Sequence, residues 1–402
     1  MIGPDFELLR SQWFKKEVSM SWGGAHLSFA VAQELFSSHV VDAGSLMLLR
    51  SLALDSLPGS GTCVDFGCGY GVLGLAFKAV RPDWDVSLID RDALAVEFSK
   101  WNAHRLDLDV ACRGGLDVGG VPGSFELVLW NVPGKAGSGV LQKLTAQILD
   151  RLSSDGVLAL VVVHPLARNL EEIAKGRADV EIIHESAGSE HTVFHMKRIS
   201  GEPDCEGVDA FTNGAFDREE TDVDTGLITY RILPVVGLPQ YDGPDISTIL
   251  LTDGVESLGR TSTSTALCLD PGQGHVPIYL RQRWPEVELS LVDHDLLALR
   301  ASTRAIGAER IAANVHAAAD LGIVESQFDL VTASLPNQIR QPVVLHLLDR
   351  MIDVTATGSH IAVAGGSTEV SRFLTLARKR SELKPRDRDK RRGFSSAVFE
   401  RR

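Results

Sequence analysis

The stretch from Val64 to Leu75, VDFGCGYGVLGL, constrains the fold more than any other part of the chain. An apolar run, Thr62 to Val64, ends in Asp65, and glycines then fall at alternate positions: Gly67, Gly69 and Gly71. A second apolar run with helical character, Val72 to Ala76, follows at once. Strand, tight glycine turn and helix in this order are the layout of a nucleotide-binding α/β sheet. Glycine suits such a turn because it adopts φ/ψ values closed to other residues and lacks the Cβ that would hold a ligand off the backbone. Glycines also mark ordinary turns, so the neighbouring segments decide.

Those segments continue the α/β pattern. DVSLIDRD (85–92) reads as a buried β-branched strand ending in Asp90, 25 residues after Asp65. An acid at the end of the second strand takes ribose hydroxyls in Rossmann-like sheets, while Asp92 fits the N-cap of the following helix. FELVLW (125–130) is a further strand, with NVPGKAG (131–137) at its carboxyl end, where ligands gather in open α/β sheets. A helix over about 140–152, a strand GVLALVVVH (156–164) and a hairpin over 181–198 complete a βαβαβαβ order with a terminal antiparallel pair. Ahead of the glycine turn, residues 1–35 read as a small antiparallel cap around Trp13, Phe14, Trp22 and Phe29. FSSHVVDAGSLMLLRSL (36–52) then presents Leu46, Leu48, Leu49 and Leu52 as one helix face.

The second half repeats the first. ELSLVDHD starts at 288 against 85, and FDLVTASLP at 328 against 125, both 203 positions apart. GSHIAVAGG (358–366) and FSSAVFERR (394–402) match the fifth strand and the hairpin, so the chain reads as an internal duplication. The expected fold is α/β: two tandem Rossmann-like domains, each a seven-stranded mixed sheet closed by an antiparallel hairpin. The domains are expected at 1–200 and 227–402, joined by an acidic linker at 201–226. In TALCLDPGQGHVPIYL (265–280), Asp65, Gly67 and Gly69 are matched with Asp270, Gly272 and Gly274. Gly71 then falls on Val276, followed by Pro277, and Asn131 on Ser334. This assigns chemistry to the N-terminal half.

Composition narrows the class. With 402 residues and 44% hydrophobic content, the chain can bury the cores of two domains. Its five cysteines show no CxxC or Cys/His ligand spacing, which argues against a zinc site or disulfide framework and fits a reducing cytoplasm. No signal-peptide layout or membrane-length apolar run is apparent, so a cytoplasmic protein with no membrane partner is expected. The net charge of −13 argues against a generally nucleic-acid-coated surface. Residues 378–402, however, carry eleven Lys/Arg against four Asp/Glu. That basic end suits RNA phosphates or a solvated final hairpin.

VDFGCGYGVLGL, Asp90, the NVPGKAG block and the FSSHVVDAGSLMLL lead-in together resemble the small-domain methyltransferases, a class I family using S-adenosylmethionine (SAM). The family includes the tandemly duplicated bacterial ribosomal RNA guanine-N2 methyltransferases, in which the C-terminal half is active. The resemblance implies SAM as cofactor and S-adenosylhomocysteine as product. It assigns cofactor contacts to Asp65, Gly67, Gly69, Gly71 and Asp90, with Asp117 as the adenine-amino acceptor. It implies that Asn131 and the carbonyl of Val132 accept hydrogen bonds from a planar amino group, while Pro133 keeps the turn rigid. Where the family often has a base-stacking aromatic, this chain has Gly134, so Trp130 or a residue of the N-terminal cap would take that part. The implied reaction is N-methylation of an exocyclic amino group in structured RNA, by a monomer or dimer whose second half recognises RNA. A protein side chain or small metabolite as acceptor, or a non-catalytic SAM-binding scaffold, are the alternatives.

Overall fold

The structure is a computed structural model that describes residues 6–307, 314–317, 324, 326–337 and 339–402. The chain divides into two units, Met1–Phe216 and Asp217–Arg402. The first unit begins with α1 (Phe6–Gln12) and the hairpin β1 (Phe14–Trp22) and β2 (Ala25–Ala32), the expected cap. Next come α2 (Ala43–Ser51), β3 (Thr62–Phe66), α3 (Val72–Val80), β4 (Asp85–Asp90), α4 (Ala93–Arg105) and β5 (Ala111–Gly114). The unit ends with β6 (Phe125–Asn131), α5 (Ser138–Arg151), β7 (Leu152–Val163), α6 (His164–Lys175), β8 (Val180–Ala187) and β9 (His191–Arg198).

Its sheet has the order β5-β4-β3-β6-β7-β9-β8, parallel except where β9 runs against β7 and β8. Cys63, Val64, Leu88, Leu127, Val128 and Leu129 are fully buried. Their strands read as continuous apolar runs because helices cover both faces of a parallel sheet.

The second unit holds β10 (Thr221–Asp224), β11 (Thr229–Ile232), α7 (Ile246–Glu256), β12 (Thr265–Leu269), α8 (His275–Arg283), β13 (Glu288–Asp293) and α9 (Leu296–Ala305). It continues with β14 (Asn314–Ala317), β15 (Phe328–Leu335), α10 (Gln341–Val354), β16 (Thr355–Gly366), α11 (Ser367–Ala377), β17 (Leu383–Arg391) and β18 (Phe394–Arg401). The sheet order, β14-β13-β12-β15-β16-β18-β17, is that of the first unit. No helix among the described residues is long and apolar enough to cross a membrane.

The duplication is stricter than the motifs suggest, and it corrects two expectations. Every helix and sheet strand from α2 to β9 starts 203 positions before its copy: 43 against 246, 62 against 265, 72 against 275, 191 against 394. The pair Ser21–His26 of the cap hairpin recurs as Asp224–Thr229 at the same spacing. So β10–β11 is the second unit's own cap, and 221–226 is folded structure rather than linker. The unit boundary at 216/217 falls inside the connection expected at 201–226.

The glycine turns also align differently. Helix α8 begins at His275 behind a left-handed Gly274 (φ 100°), as α3 begins at Val72 behind Gly71 (φ 93°). Gly71 therefore corresponds to Gly274, Gly69 to Gly272 and Gly67 to Asp270. Asp65 falls on Cys268, not on Asp270. Matching acid to acid in the sequence shifted the turn by two residues; the helix start, which the φ > 0 cap dictates, fixes it.

Candidate active site

In the first sheet the strand order reverses between β3 and β6, which opens a crevice at their carboxyl ends. The glycine turn leaves β3 there, and Asn131 ends β6 there.

Three consecutive alternations into left-handed backbone shape the turn: Gly67, Gly69 and Gly71 have φ of 69°, 58° and 93°. The amides of Gly67 and Cys68 donate to Ile89 O at 2.9 and 3.0 Å, pinning the turn to β4. Ser99 Oγ donates to Gly69 O at 2.9 Å, and Asn102 Nδ2 to Tyr70 O at 2.9 Å. Asn102, fully buried, also exchanges hydrogen bonds with Ala30 of the cap, so cap and turn share one brace. A Cβ on Gly71 would meet Leu75 at 2.7 Å, whereas one on Gly69 would meet nothing within 4 Å. Gly71 answers to packing; Gly69 faces open space.

The two acids sit on either side of this turn. Asp90 Oδ2 accepts from Gly69 N at 2.8 Å and Oδ1 from Asp92 N at 2.9 Å. Burial pushes its pKa up to about 6, against these amide bonds. Asp65 accepts from Gly74 N at 2.7 Å through Oδ2, while its Oδ1 is buried without a partner. Burial is the main cause that raises Asp65 to about 7. Asp92 caps α4 as expected, accepting from Leu94 N at 2.8 Å. Cys68, inside the turn, has its thiol pushed up by burial and lacks the thiolate character of a nucleophile.

Asn131 is held by groups the sequence reading did not single out. Its Nδ2 donates to Asp42 Oδ2 at 2.8 Å and to Ser45 Oγ at 2.9 Å. With both amide hydrogens engaged, Oδ1 is the group's available acceptor. Asp42 is also the N-cap of α2, accepting from Ser45 N at 2.8 Å. A capping signal was present in the lead-in block, Asp42 just before an apolar helical run, but spacing alone could not show that it reaches 89 positions forward to Asn131. Val132 N donates to Val161 O at 3.0 Å, and Ala136 N closes the turn onto Pro133 O at 2.9 Å.

Two expectations give way here. Trp130 is 2% exposed and tilted against Phe66 with centroids 5.3 Å apart, so it offers no stacking face. Asp117 is also buried; its Oδ1 accepts from Gly119 N at 2.7 Å and its Oδ2 from Ala210 N at 2.6 Å. It braces the segment after β9 instead of standing open for an adenine.

The equivalent turn of the second unit is closed on itself. Gln273, at the position of Tyr70, donates to Val235 O and accepts from Val235 N, both at 3.0 Å. His275, at the position of Val72, bonds Tyr230 Oη at 2.7 Å and Gln240 O at 3.0 Å. Asp270 stands where Gly67 stands, in a strained φ of 49°, and raises Asp293, the counterpart of Asp90, further above the level that burial sets. With His294 these two form a cluster of possible metal-ligand atoms within 4.8 Å of one another.

Residues 26–188 match the family described as Methyltransferase small domain. This stretch holds the cap strand β2, the glycine turn, Asp90 and Asn131. Curated relatives named Ribosomal RNA small subunit methyltransferase C are 34% identical over 164 residues in Pseudomonas aeruginosa and 42% over 101 in Pseudomonas entomophila. These alignments cover 39% and 25% of this chain and 46% and 29% of the relatives, so the chain spans less than half the length of those it matches. A solved T. thermophilus 16S rRNA N2 methyltransferase (RsmC), in complex with AdoMet and guanosine, superposes with a TM-score of 0.68 at 14% identity. That match covers 96% of this chain and 98% of the other, and so extends the shared fold beyond residues 26–188 to both units.

Proposed function

We propose that the protein is a SAM-dependent N-methyltransferase whose first unit methylates the exocyclic amino group of a base in ribosomal RNA, of the guanine-N2 type. The observation that carries this reading is the clamped Asn131 amide, with its oxygen left as acceptor at the carboxyl end of β6, one strand from the glycine turn.

The residues present fit SAM. A nucleoside bearing a cationic amino-acid tail matches open space at Gly69, an acid at the end of β4 and a buried, unpaired carboxylate oxygen on Asp65. Asp90 would take the ribose hydroxyls, the Gly67–Gly71 turn the close approach of the ligand, and Asp65 the positive tail. SAM, when bound, supplies an electrophilic methyl group and leaves as S-adenosylhomocysteine. The chain's own work is positioning. Asn131 Oδ1 and the carbonyl of Val132 would accept the two N–H bonds of a planar amine, which turns its lone pair out of the base plane. Pro133 fixes φ after Val132 and so holds that carbonyl. The names of the ribosomal RNA relatives, and the guanosine in the T. thermophilus structure, support a guanine acceptor.

The test is incorporation of label from tritiated SAM into RNA, protein and metabolite pools, with Asn131→Ala alongside. Label in RNA that vanishes in the variant, while S-adenosylhomocysteine still binds, is the expected result. Label only in protein or metabolites would favour the second reading, which Gly134 in place of an aromatic and the net charge of −13 support.

A further inference from the structure

We propose that Phe36 is the stacking platform for the methyl-acceptor base, presented by the loop between β2 and α2. This rests on the reading of the acceptor as an RNA base.

Phe36 is 70% exposed and Val40 66% exposed. An exposed phenylalanine forgoes the stabilisation that burial would return, so a slack loop would be expected to fold it inward. This loop is not slack. Leu35, Ser38 and Val41 are buried; Ser37 Oγ donates to Val40 O at 2.6 Å, and Ser38 Oγ to Gln33 O at 3.3 Å. Lys15 Nζ reaches Ser38 Oγ at 3.2 Å, and Lys16 Nζ donates to His39 O. Anchored residues thus alternate with displayed ones.

The loop is also placed for the task. At one end Ser37 O lies 3.5 Å from Tyr70 Oη of the glycine turn; at the other Asp42 holds Asn131. It therefore runs from the Tyr70 side chain of the glycine turn to the amide proposed to hold the acceptor. The ring at this position answers a gap already found, since Gly134 has no side chain and Trp130 is buried. Lys16, bonded to a neutral carbonyl, adds a positive charge suited to the nucleotide's phosphate.

The second unit supplies an independent control. Its loop keeps three positions, Leu238 for Leu35, left-handed Gln240 (φ 62°) for Ser37 (φ 54°) and the N-cap Asp245 for Asp42, while Ser38 and Val41 have become Tyr241 and Pro244. Yet Phe36 has become Pro239 and Val40 has become Gly243, in the same unit where Asn131 has become Ser334. The loop outlived the loss of the amide; the displayed apolar pair did not.

Phe36→Ala, Phe36→Tyr and Phe36→Trp test this in the full-length protein. Loss of one base–aromatic stack should lower kcat/KM for a ribosomal RNA transcript by roughly 5- to 150-fold in Phe36→Ala, with the Tyr and Trp variants close to wild type. Binding of S-adenosylhomocysteine should not change. A readout without turnover uses a short RNA carrying 2-aminopurine at the acceptor position, in the presence of S-adenosylhomocysteine. Its fluorescence should be quenched by wild type and Phe36→Trp but not by Phe36→Ala. Equal kcat/KM and equal quenching in wild type and Phe36→Ala would overturn the proposal. So would a wild-type dimer that Phe36→Ala turns into a monomer in sedimentation, since the ring would then be an interface between copies. Absence of any wild-type transfer to RNA is a separate failure, that of the acceptor reading itself.

Discussion

The two units are one design at two stages, and their differences separate what the fold needs from what the reaction needs. Both keep the left-handed glycine ahead of the crossover helix, Gly71 and Gly274. Both keep the serine brace on the turn, Ser99 to Gly69 O and Ser302 to Gly272 O, each at 2.9 Å. Both cap the helix after the lead-in loop with an aspartate, Asp42 and Asp245. The units part at Asp65/Cys268, Gly67/Asp270, Gly74/Pro277 and Asn131/Ser334. Two of these changes belong together. Gly74 N donates to Asp65, and in the copy the donor has become a proline with no N–H just as the acceptor has become a cysteine. A buried acid with one unpaired oxygen is a standing destabilisation of roughly 1–3 kcal/mol. The first unit retains it and the second has shed it, the contrast expected if Asp65 is the proposed cofactor contact.

The largest break in this comparison is at the acceptor amide. Asn131→Ala should lower kcat by roughly two to three orders of magnitude, as loss of a preorganised polar group does, with S-adenosylhomocysteine affinity unchanged by calorimetry. Ser334→Ala should leave both quantities alone; an equal loss there would mean that the second unit carries chemistry too.

Next in size is the nucleotide acid. Asp90→Ala removes a buried charged acceptor, worth roughly 1.5–3 kcal/mol, so S-adenosylhomocysteine should bind about 10- to 150-fold more weakly. Asp293→Ala, at the matching position beside Asp270, should leave that affinity as it is. A comparable drop in the Asp293 variant would show that the closed turn of the second unit opens to ligand.

The helix caps divide stability from positioning. Asp42→Ala and Asp245→Ala should each cost about 1 kcal/mol in unfolding experiments, since each loses one N-cap bond. Only Asp42→Ala should also lower kcat, by roughly one order of magnitude, because only Asp42 holds the amide proposed to position the acceptor. Equal kcat in the two variants would reduce Asp42 to a cap.

How much of this was legible follows from the range of the interactions. The turn, the strand ends at Asp90 and Asn131, the order of elements and the repeat could be read because each is a local pattern with a fixed period or position. The register of the copied turn was misread because Asp270 imitates Asp65, and only the start of α8 shows that it replaces Gly67. Asp42 was hidden for the opposite reason: it looks like an ordinary cap and acts on a residue far along the chain. Asp117 sits next to the right glycines, yet its bond to Ala210, 93 positions on, decides what it does. Trp130 had the right type, but the pleat turned it against Phe66.

A pH profile separates the two acids. Both are raised by burial, Asp65 to about 7 and Asp90 to about 6, so each binds a proton well above the usual carboxylate range. The charged forms are the ones that accept from ribose hydroxyls and balance a positive tail. Affinity for S-adenosylhomocysteine should therefore be full above pH 7 and fall as pH drops, in one step near 7 and a second near 6, each at most tenfold per pH unit. Unburied carboxylates would hold the affinity level down to about pH 4. Asp90→Asn, which stays neutral throughout, should bind more weakly at pH 8 and keep only the Asp65 step, moved to lower pH because the Asp90 charge helps raise Asp65. Calorimetric titrations across this range check it. A wild-type affinity that stays level from pH 8 to 5 would remove both acids from the ligand's contacts. Loss of the Asp65 step in Asp90→Asn would move the cationic tail from Asp65 to Asp90.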